Sequence, residues 1–223
     1  MSKMCVYSYR LTTDSGFAPC VHGKLLTLSC CKGEAMSVSG VPSNGRSLRK
    51  IVANLLMEHK EDTDVYLLGI FNNKLLFYAR ITDAIKMDSY YGGNTCKRRF
   101  DNIYTCDEKG YHGLRRNDNY PHVHPKTDEK RIMLDIAGEW VLMSDTFTYW
   151  GKKAPEIRAD ILDVLPKHQE HKPNKADANT YPGFGHEGMH EYAMSLTDGR
   201  FLYKLSEPHE VFENLKGKGC HQK

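Results

Sequence analysis

The sequence lacks any long hydrophobic run. No apolar stretch in its 223 residues approaches the roughly 20 residues that a membrane-spanning helix needs. The first seven residues, Met-Ser-Lys-Met-Cys-Val-Tyr, do not contain the apolar segment of a secretory signal. We therefore expect a cytoplasmic protein with no membrane partner.

The chain also lacks the signatures of several cofactor and metal sites. Its seven cysteines are odd in number and contain no C-x-x-C pair, which argues against a disulfide framework and against a cysteine-based zinc site. We expect reduced thiols. No Walker phosphate-binding loop is present either. The sequence predicts no cofactor.

The chain has little excess charge of either sign, since its net charge is only +3. This value is too small to indicate a strong nucleic-acid binder, but the bases are unevenly distributed. Six of them lie between residues 92 and 116: Lys97, Arg98, Arg99, Lys109, Arg115 and Arg116. Phe100, Tyr104 and Tyr111 are interleaved with them, which favours a surface that binds phosphates and rings. The alternative is a solvated basic loop.

Hydrophobic periodicity indicates one α+β domain over residues 1–223. Strands are predicted at 4–10, 25–29, 65–71, 75–82, 102–106, 140–144, 147–150 and 201–205, with 65–71 and 75–82 as a β-hairpin. Helices are predicted from Ser47 over 48–56, from Pro155 over 155–165, and over 186–196. Residues 86–91 are predicted to form a short helix or a bend. The polar stretch at 166–182 is predicted to be a mobile loop.

Seven short motifs occur in one order along the chain. They are "DSGFAPC", "LTLSCCK", "KLLFYARIT", "MDSYY", "DNIYTCDEKG", "WVLMSDTFTYWGKKAPEI" and "GFGH". Together they resemble the nucleotide modification-associated domain 2 family of phages and bacteria, from about Tyr7 to Leu205. The resemblance implies a link to base-modifying systems in a bacterial or phage-infected cell. The hairpin and the tyrosine turn after it are similar to PUA and EVE domains, which implies a PUA-like, partly open β-barrel with flanking helices.

The loop at 14–19 is the first candidate site. Nucleobases are held by stacking on a ring while a carboxylate or amide reads the base edge, and Asp14 with Phe17 supplies both groups. The alternative is that Asp14 only forms a turn. The acidic and aromatic candidates are Asp14, Phe17, Tyr78, Asp88, Tyr90, Tyr104 and Tyr149. The full predicted nucleotide-binding set is Asp14, Gly16, Phe17, Ala18, Pro19, Lys32, Tyr90, Arg98, Arg99, Tyr104, Arg115, Arg116 and His186, with the bases contacting phosphate.

A second candidate is the string His186-Glu187-Gly188-Met189-His190, which fits the zinc-binding pattern H-E-x-x-H. No convincing third ligand follows it, and the family resemblance includes only Gly185 and His186. We therefore favour His186 as a binding or acid–base histidine beside the Gly-Phe-Gly turn, with a structural imidazole as the alternative. Metal ligation by His186 and His190 ranks last.

These observations support four hypotheses about function. The first is binding of a nucleotide, or of a modified base in DNA or RNA, linked to base modification or phage–host conflict. The second is an enzyme that modifies or removes a group on a base, with Asp14 or His186 as general acid or base. The third is sequestration of a soluble nucleotide signal, and the fourth is a zinc hydrolase. The sequence gives no prediction of the oligomeric state.

Overall fold

The computed structural model describes residues 3–11, 13–30, 47–59, 62–93, 99–107, 110–112, 135–163 and 188–209. In chain order the elements are β1 (Lys3–Leu11), β2 (Cys20–His22), β3 (Leu25–Leu28), α1 (Leu48–His59), β4 (Thr63–Phe71), β5 (Lys74–Arg80), β6 (Asp83–Lys86), α2 (Met87–Gly92), β7 (Thr105–Asp107), β8 (Gly110–His112), β9 (Trp140–Ser144), β10 (Thr146–Tyr149), a 3-10 helix (Gly151–Lys153), α3 (Ala159–Leu162), α4 (Gly188–Ser195) and β11 (Tyr203–Lys204). Mixed sheets with a few short helices confirm the predicted α+β class. The predicted mobile loop at 166–182 lies outside the described residues.

Five strands form the larger sheet, in the order β1-β4-β5-β10-β11. β1 and β4 are parallel, β4 and β5 form the predicted antiparallel hairpin, and β10 pairs antiparallel with β5 and parallel with β11. β1, β4, β10 and β11 therefore run in one direction, and only β5 runs against them.

Four strands form a second, antiparallel sheet in the order β2-β3-β9-β6. The consecutive strands β9 and β10 belong to different sheets, so the turn at Asp145 carries the chain from one sheet to the other. β7 and β8 form a separate two-stranded ribbon. Within the described residues these sheets do not close into a barrel, and the predicted PUA-like barrel is not confirmed.

The core lies on both faces of the larger sheet. On one face, Leu48, Val52 and Leu56 of α1 pack in one cluster with residues of both sheets, as the helical stripe predicted. The amide of Lys50 donates to Ser47 Oγ at 3.3 Å, which is the predicted N-terminal cap. On the other face a second cluster includes strand residues and α4.

The helix predicted from Pro155 is wrong at its start, because the helix begins only at Ala159. The backbone before it pairs with the hairpin instead. Leu75 N donates to Pro155 O at 2.9 Å, and Ile157 N donates to Asn73 O at 3.0 Å. Bonding to the end of the sheet thus replaces the helical bonds that the local sequence pattern suggested.

Candidate functional site

Four strand ends meet at one edge of the larger sheet. Since parallel strands place their carboxyl ends together, β1, β4, β10 and β11 all end there. The loop that carries Asp14 follows β1, and the segment 205–209 follows β11. Open sheets that contain parallel strands commonly bind ligands at this edge. The topology thus brings distant parts of the sequence into one place.

Asp14 is the buried centre of this edge, with 1% of its surface exposed. Its Oδ1 accepts a hydrogen bond from Tyr149 Oη at 2.6 Å. Its Oδ2 lies 2.9 Å from the backbone nitrogen of His209 and 2.8 Å from the ring nitrogen Nδ1. A carboxylate only accepts hydrogen bonds, so we assign the proton on this ring to Nδ1. In the neutral ring Nε2 then carries the lone pair.

Two glycines allow the segment of His209 to lie against the edge. Gly16 has φ +71°, and a Cβ there would lie 2.5 Å from Cγ of Pro208. Gly151 has φ +54°, and a Cβ there would lie 2.3 Å from the carbonyl oxygen of Glu207. Both positions require a residue that tolerates positive φ and leaves space for the neighbouring chain. These are the glycines of "DSGFAPC" and "TYWGKK".

His209 packs against a core ring and follows a segment that is bonded to the 3-10 helix. Its side chain is 25% exposed, and its ring centroid lies 5.0 Å from that of Phe71. The 3-10 helix after β10 presents the exposed Lys152 and Lys153, and the amide of Lys152 donates to Glu207 O at 2.9 Å. The edge therefore combines a partly exposed imidazole, packed against the buried ring of Phe71, with a neighbouring backbone segment that carries two exposed lysines.

Three of the predicted pocket rings also come together, but inside the protein. Phe17, Tyr90 and Tyr104 share one buried cluster, each with at most 1% of its surface exposed. Tyr91 joins Tyr90 and Tyr104 through nearly perpendicular ring contacts at 5.3 and 5.2 Å. Ala18 packs against this cluster. In this arrangement the faces of the rings contact protein, and the cluster anchors the loop that carries Asp14.

Arg99, a predicted phosphate contact, is 5% exposed and directed at protein groups. Its Nη2 donates to Thr27 Oγ1 at 2.8 Å, and its Nε donates to Tyr90 Oη at 3.1 Å. Asp101 accepts a 2.7 Å hydrogen bond from the same tyrosine and forms an ion pair with Arg99 at 3.4 Å. Burial, followed by the charge of Asp101, raises the pKa of Tyr90. The charges of this group stabilise one another inside the fold.

The other predicted basic contacts and the favoured histidine lie outside the described residues: Lys32, Arg98, Arg115, Arg116 and His186. Of the predicted zinc pattern at 186–190, the structure describes residues 188–190. The ring nitrogen Nδ1 of His190 lies 2.5 Å from Tyr78 Oη. Its ring also contacts Tyr66 edge to face at 4.7 Å. No group of three or more potential metal ligands occurs in the part of the chain that the structure describes.

Sequence reasoning placed Asp14 and Tyr149 in one group of acidic and aromatic candidates but missed His209. No local pattern singles out a histidine near the end of the chain, because its position follows from the parallel pairing of β10 with β11. Gly16 and Gly151, both at close approaches to its segment, were the available signal.

A separate groove of about 440 Å³ lies beside α4 and is lined in part by Arg158 and Tyr192.

These features define an α+β protein with an aspartate–histidine pair at the carboxyl edge of a mixed sheet. The model of the family described as nucleotide modification associated domain 2 matches residues 63–184, more than half of the chain, and the chain belongs to that family. Searches of curated proteins and of solved structures gave no match. None of the helices in the described ranges has the length and apolar character needed to cross a membrane.

Proposed function

We propose that the protein binds a nucleotide or a modified nucleobase at the carboxyl edge of its larger sheet, in the cytoplasm of a bacterium or phage-infected cell. The observation that carries this proposal is the buried Asp14, which holds a partly exposed His209 at the edge. Membership of a family associated with nucleotide modification gives the ligand class. A link to base modification or phage–host conflict follows from the same association.

The chemistry of the edge suits such a ligand. The ring nitrogen Nε2 of His209 can accept a hydrogen bond from a base or sugar, and the buried Phe71 ring supports the imidazole from within the core. Lys152 and Lys153 are exposed on the 3-10 helix whose backbone bonds to Glu207, so their charges would attract a phosphate to this part of the surface. Because Asp14 is buried and already accepts three hydrogen bonds, we propose that it acts on the ligand through His209 rather than by reading a base edge itself.

The remaining predicted contacts keep separate roles in this proposal. Phe17 lies three residues after Asp14 and fixes that loop through the buried cluster. Stacking of a base on Phe17, Tyr90 or Tyr104 stays a prediction. The same holds for phosphate contacts by Lys32, Arg98, Arg115 and Arg116, and for a pocket role of His186.

The first test is mass spectrometry of small molecules released when the purified protein is denatured, combined with equilibrium dialysis against the ribo- and deoxyribonucleoside 5′-monophosphates. We expect a nucleotide to be released or bound. We also expect His209→Asn to bind at least about 10-fold more weakly, equivalent to roughly 1.4 kcal/mol. His59→Asn is the matched control, since His59 ends α1, near the start of β4 and thus at the opposite edge of the sheet.

Salt titration then distinguishes binding of nucleic acid from binding of a mononucleotide. A steep loss of affinity on a log–log plot indicates many phosphate contacts and hence nucleic acid, whereas a shallow slope indicates a mononucleotide. Absence of any released nucleotide, together with no binding of the monophosphates or of single- and double-stranded oligonucleotides, would contradict the proposal.

A further inference from the structure

The orientation of His209 resembles that of a histidine held for proton transfer. The carboxylate of Asp14 fixes one ring nitrogen, and the lone pair of the other is available for a proton. Such a pair needs a buried, oriented acid behind the imidazole and an imidazole that reaches solvent. Asp14 is 1% exposed and His209 is 25% exposed in its side chain, so both conditions hold.

The carboxylate of Asp14 is also held at its second oxygen, the one that does not contact His209. Tyr149 Oη donates to Oδ1 at 2.6 Å, which leaves Oδ2 for the imidazole and the backbone amide of His209. The two bonds from His209 fix both the backbone and the ring of that residue against one oxygen. The ring orientation that these bonds fix is the property that general-base catalysis requires.

We propose that the Asp14–His209 pair catalyses hydrolysis of the bound nucleotide, with His209 as the general base and Asp14 as a positioning residue. This rests on the proposed function, since the substrate is the nucleotide bound at the same edge. Nε2 takes a proton from a water molecule, and the water oxygen forms a bond to the electrophilic phosphorus or carbon. The bond to the leaving group breaks, its electron pair stays with the leaving group, and the imidazolium returns the proton to it. The reaction consumes one water and needs no oxidant or reductant.

The test uses the full chain incubated in ¹⁸O-labelled water with nucleoside mono-, di- and triphosphates, and with base-methylated and base-acylated nucleotides. Mass spectrometry reads the position of the solvent oxygen. Label in released phosphate identifies cleavage of a phosphate bond, and label in the base or in a released acid identifies removal of a base substituent. Either result supports the proposal. We expect His209→Asn to lower the rate about 100-fold or more, while His59→Asn keeps it.

A spectroscopic measurement separates positioning by Asp14 from a purely structural role. Long-range ¹H–¹⁵N spectra of the His209 ring should give the Nδ1-protonated tautomer in the parent protein. Asp14→Asn should shift the ring towards the other tautomer or a mixture, and should lower the rate at least about 10-fold while the circular dichroism spectrum stays unchanged. A parent ring protonated on Nε2 would overturn the assignment.

The failure of this inference is distinguishable from failure of the proposed function. Bound nucleotide that is always recovered without solvent oxygen overturns hydrolysis and leaves binding intact. Equal hydrolysis rates in the parent and in a folded His209→Asn variant overturn the role of His209. If no nucleotide is released from the purified protein, and neither these nucleotides nor single- and double-stranded oligonucleotides bind, both proposals are wrong.

Discussion

Asp14 and His209 stand 195 positions apart in the sequence, yet one carboxylate oxygen of Asp14 accepts hydrogen bonds from both the backbone and the ring of His209. The contact forms because β1 and β11, the two outermost strands of the larger sheet, end at the same edge. The short loops after these strands then turn towards each other across the ends of β4 and β10.

The buried carboxylate of Asp14 should contribute strongly to stability. Asp14→Asn replaces one acceptor with a donor that faces other donors, so we expect a loss of about 2 kcal/mol in the free energy of unfolding. Tyr149→Phe removes the hydroxyl that donates to Asp14 Oδ1 and should cost about 1 kcal/mol. Urea denaturation at neutral pH measures both. Equal stability of Asp14→Asn and the parent would show that the three hydrogen bonds are not formed.

The close approach at Gly16 gives a prediction with a matched control. Gly16 and Gly23 both have positive φ, at +71° and +60°, but a Cβ at Gly23 meets nothing within 4 Å. Gly23→Ala therefore measures backbone strain alone, about 1 kcal/mol. Gly16→Ala adds the collision with Pro208, and we expect a total of at least about 2 kcal/mol, measured by thermal or urea unfolding. Identical losses would mean that the segment of Pro208 does not lie against this turn.

The buried ion pair between Asp101 and Arg99 should contribute strongly to the free energy of unfolding. Asp101 is fully buried and accepts hydrogen bonds from Tyr90 and Thr27 beside Arg99. Asp101→Asn leaves the guanidinium of Arg99 without its counter-charge, so we expect a loss of about 3 kcal/mol. Tyr90→Phe removes one hydrogen bond and should cost about 1 kcal/mol. A smaller loss in Asp101→Asn than in Tyr90→Phe, in urea denaturation, contradicts this description of the cluster.

The tyrosine cluster should make the protein sensitive to alkali. Burial raises the pKa of Tyr90, Tyr91 and Tyr104 above the ordinary value. A folded-state pKa above the unfolded one means that this stability is complete below about pH 10, the unfolded pKa, and is lost as the pH rises further. Each group contributes a slope of about 1.4 kcal/mol per pH unit in that range. Phenolate absorbance from the cluster should therefore appear together with unfolding.

The control for the alkaline transition is Tyr104→Phe. Its free energy of unfolding should fall less steeply above pH 10, by about 1.4 kcal/mol per pH unit. Ionisation of all tyrosines at pH 10 in a protein that remains folded would contradict the buried placement of the cluster.

Much of the fold was predictable because local patterns determine it. The strand β1, the hairpin of β4 and β5, and the apolar stripe of α1 were predicted close to their observed positions. The partners of the strands were not, because a period of two residues indicates a strand without showing which sheet it joins. The assignment of β9 and β10 to different sheets is therefore a result of tertiary packing.

The same limit applies to the candidate site. The acid of "DSGFAPC" was identified from its residue types, whereas His209 depends on the sheet order and on the close approach of its segment to Gly16 and Gly151. Phe17, Tyr90 and Tyr104 have the composition of a base-binding pocket, and the structure places them in the core. Aromatic residues suit both environments, so composition alone does not distinguish them.

The central claim is that a nucleotide binds at the edge formed by Asp14 and His209. A crystal structure of the full chain grown with the nucleotide identified by mass spectrometry tests it most directly. We predict density for that nucleotide with a polar atom within hydrogen-bond distance of His209 Nε2 and its phosphate on the side of Lys152 and Lys153. Density elsewhere, such as in the groove lined by Arg158 and Tyr192, with His209 left open to solvent, would contradict the account.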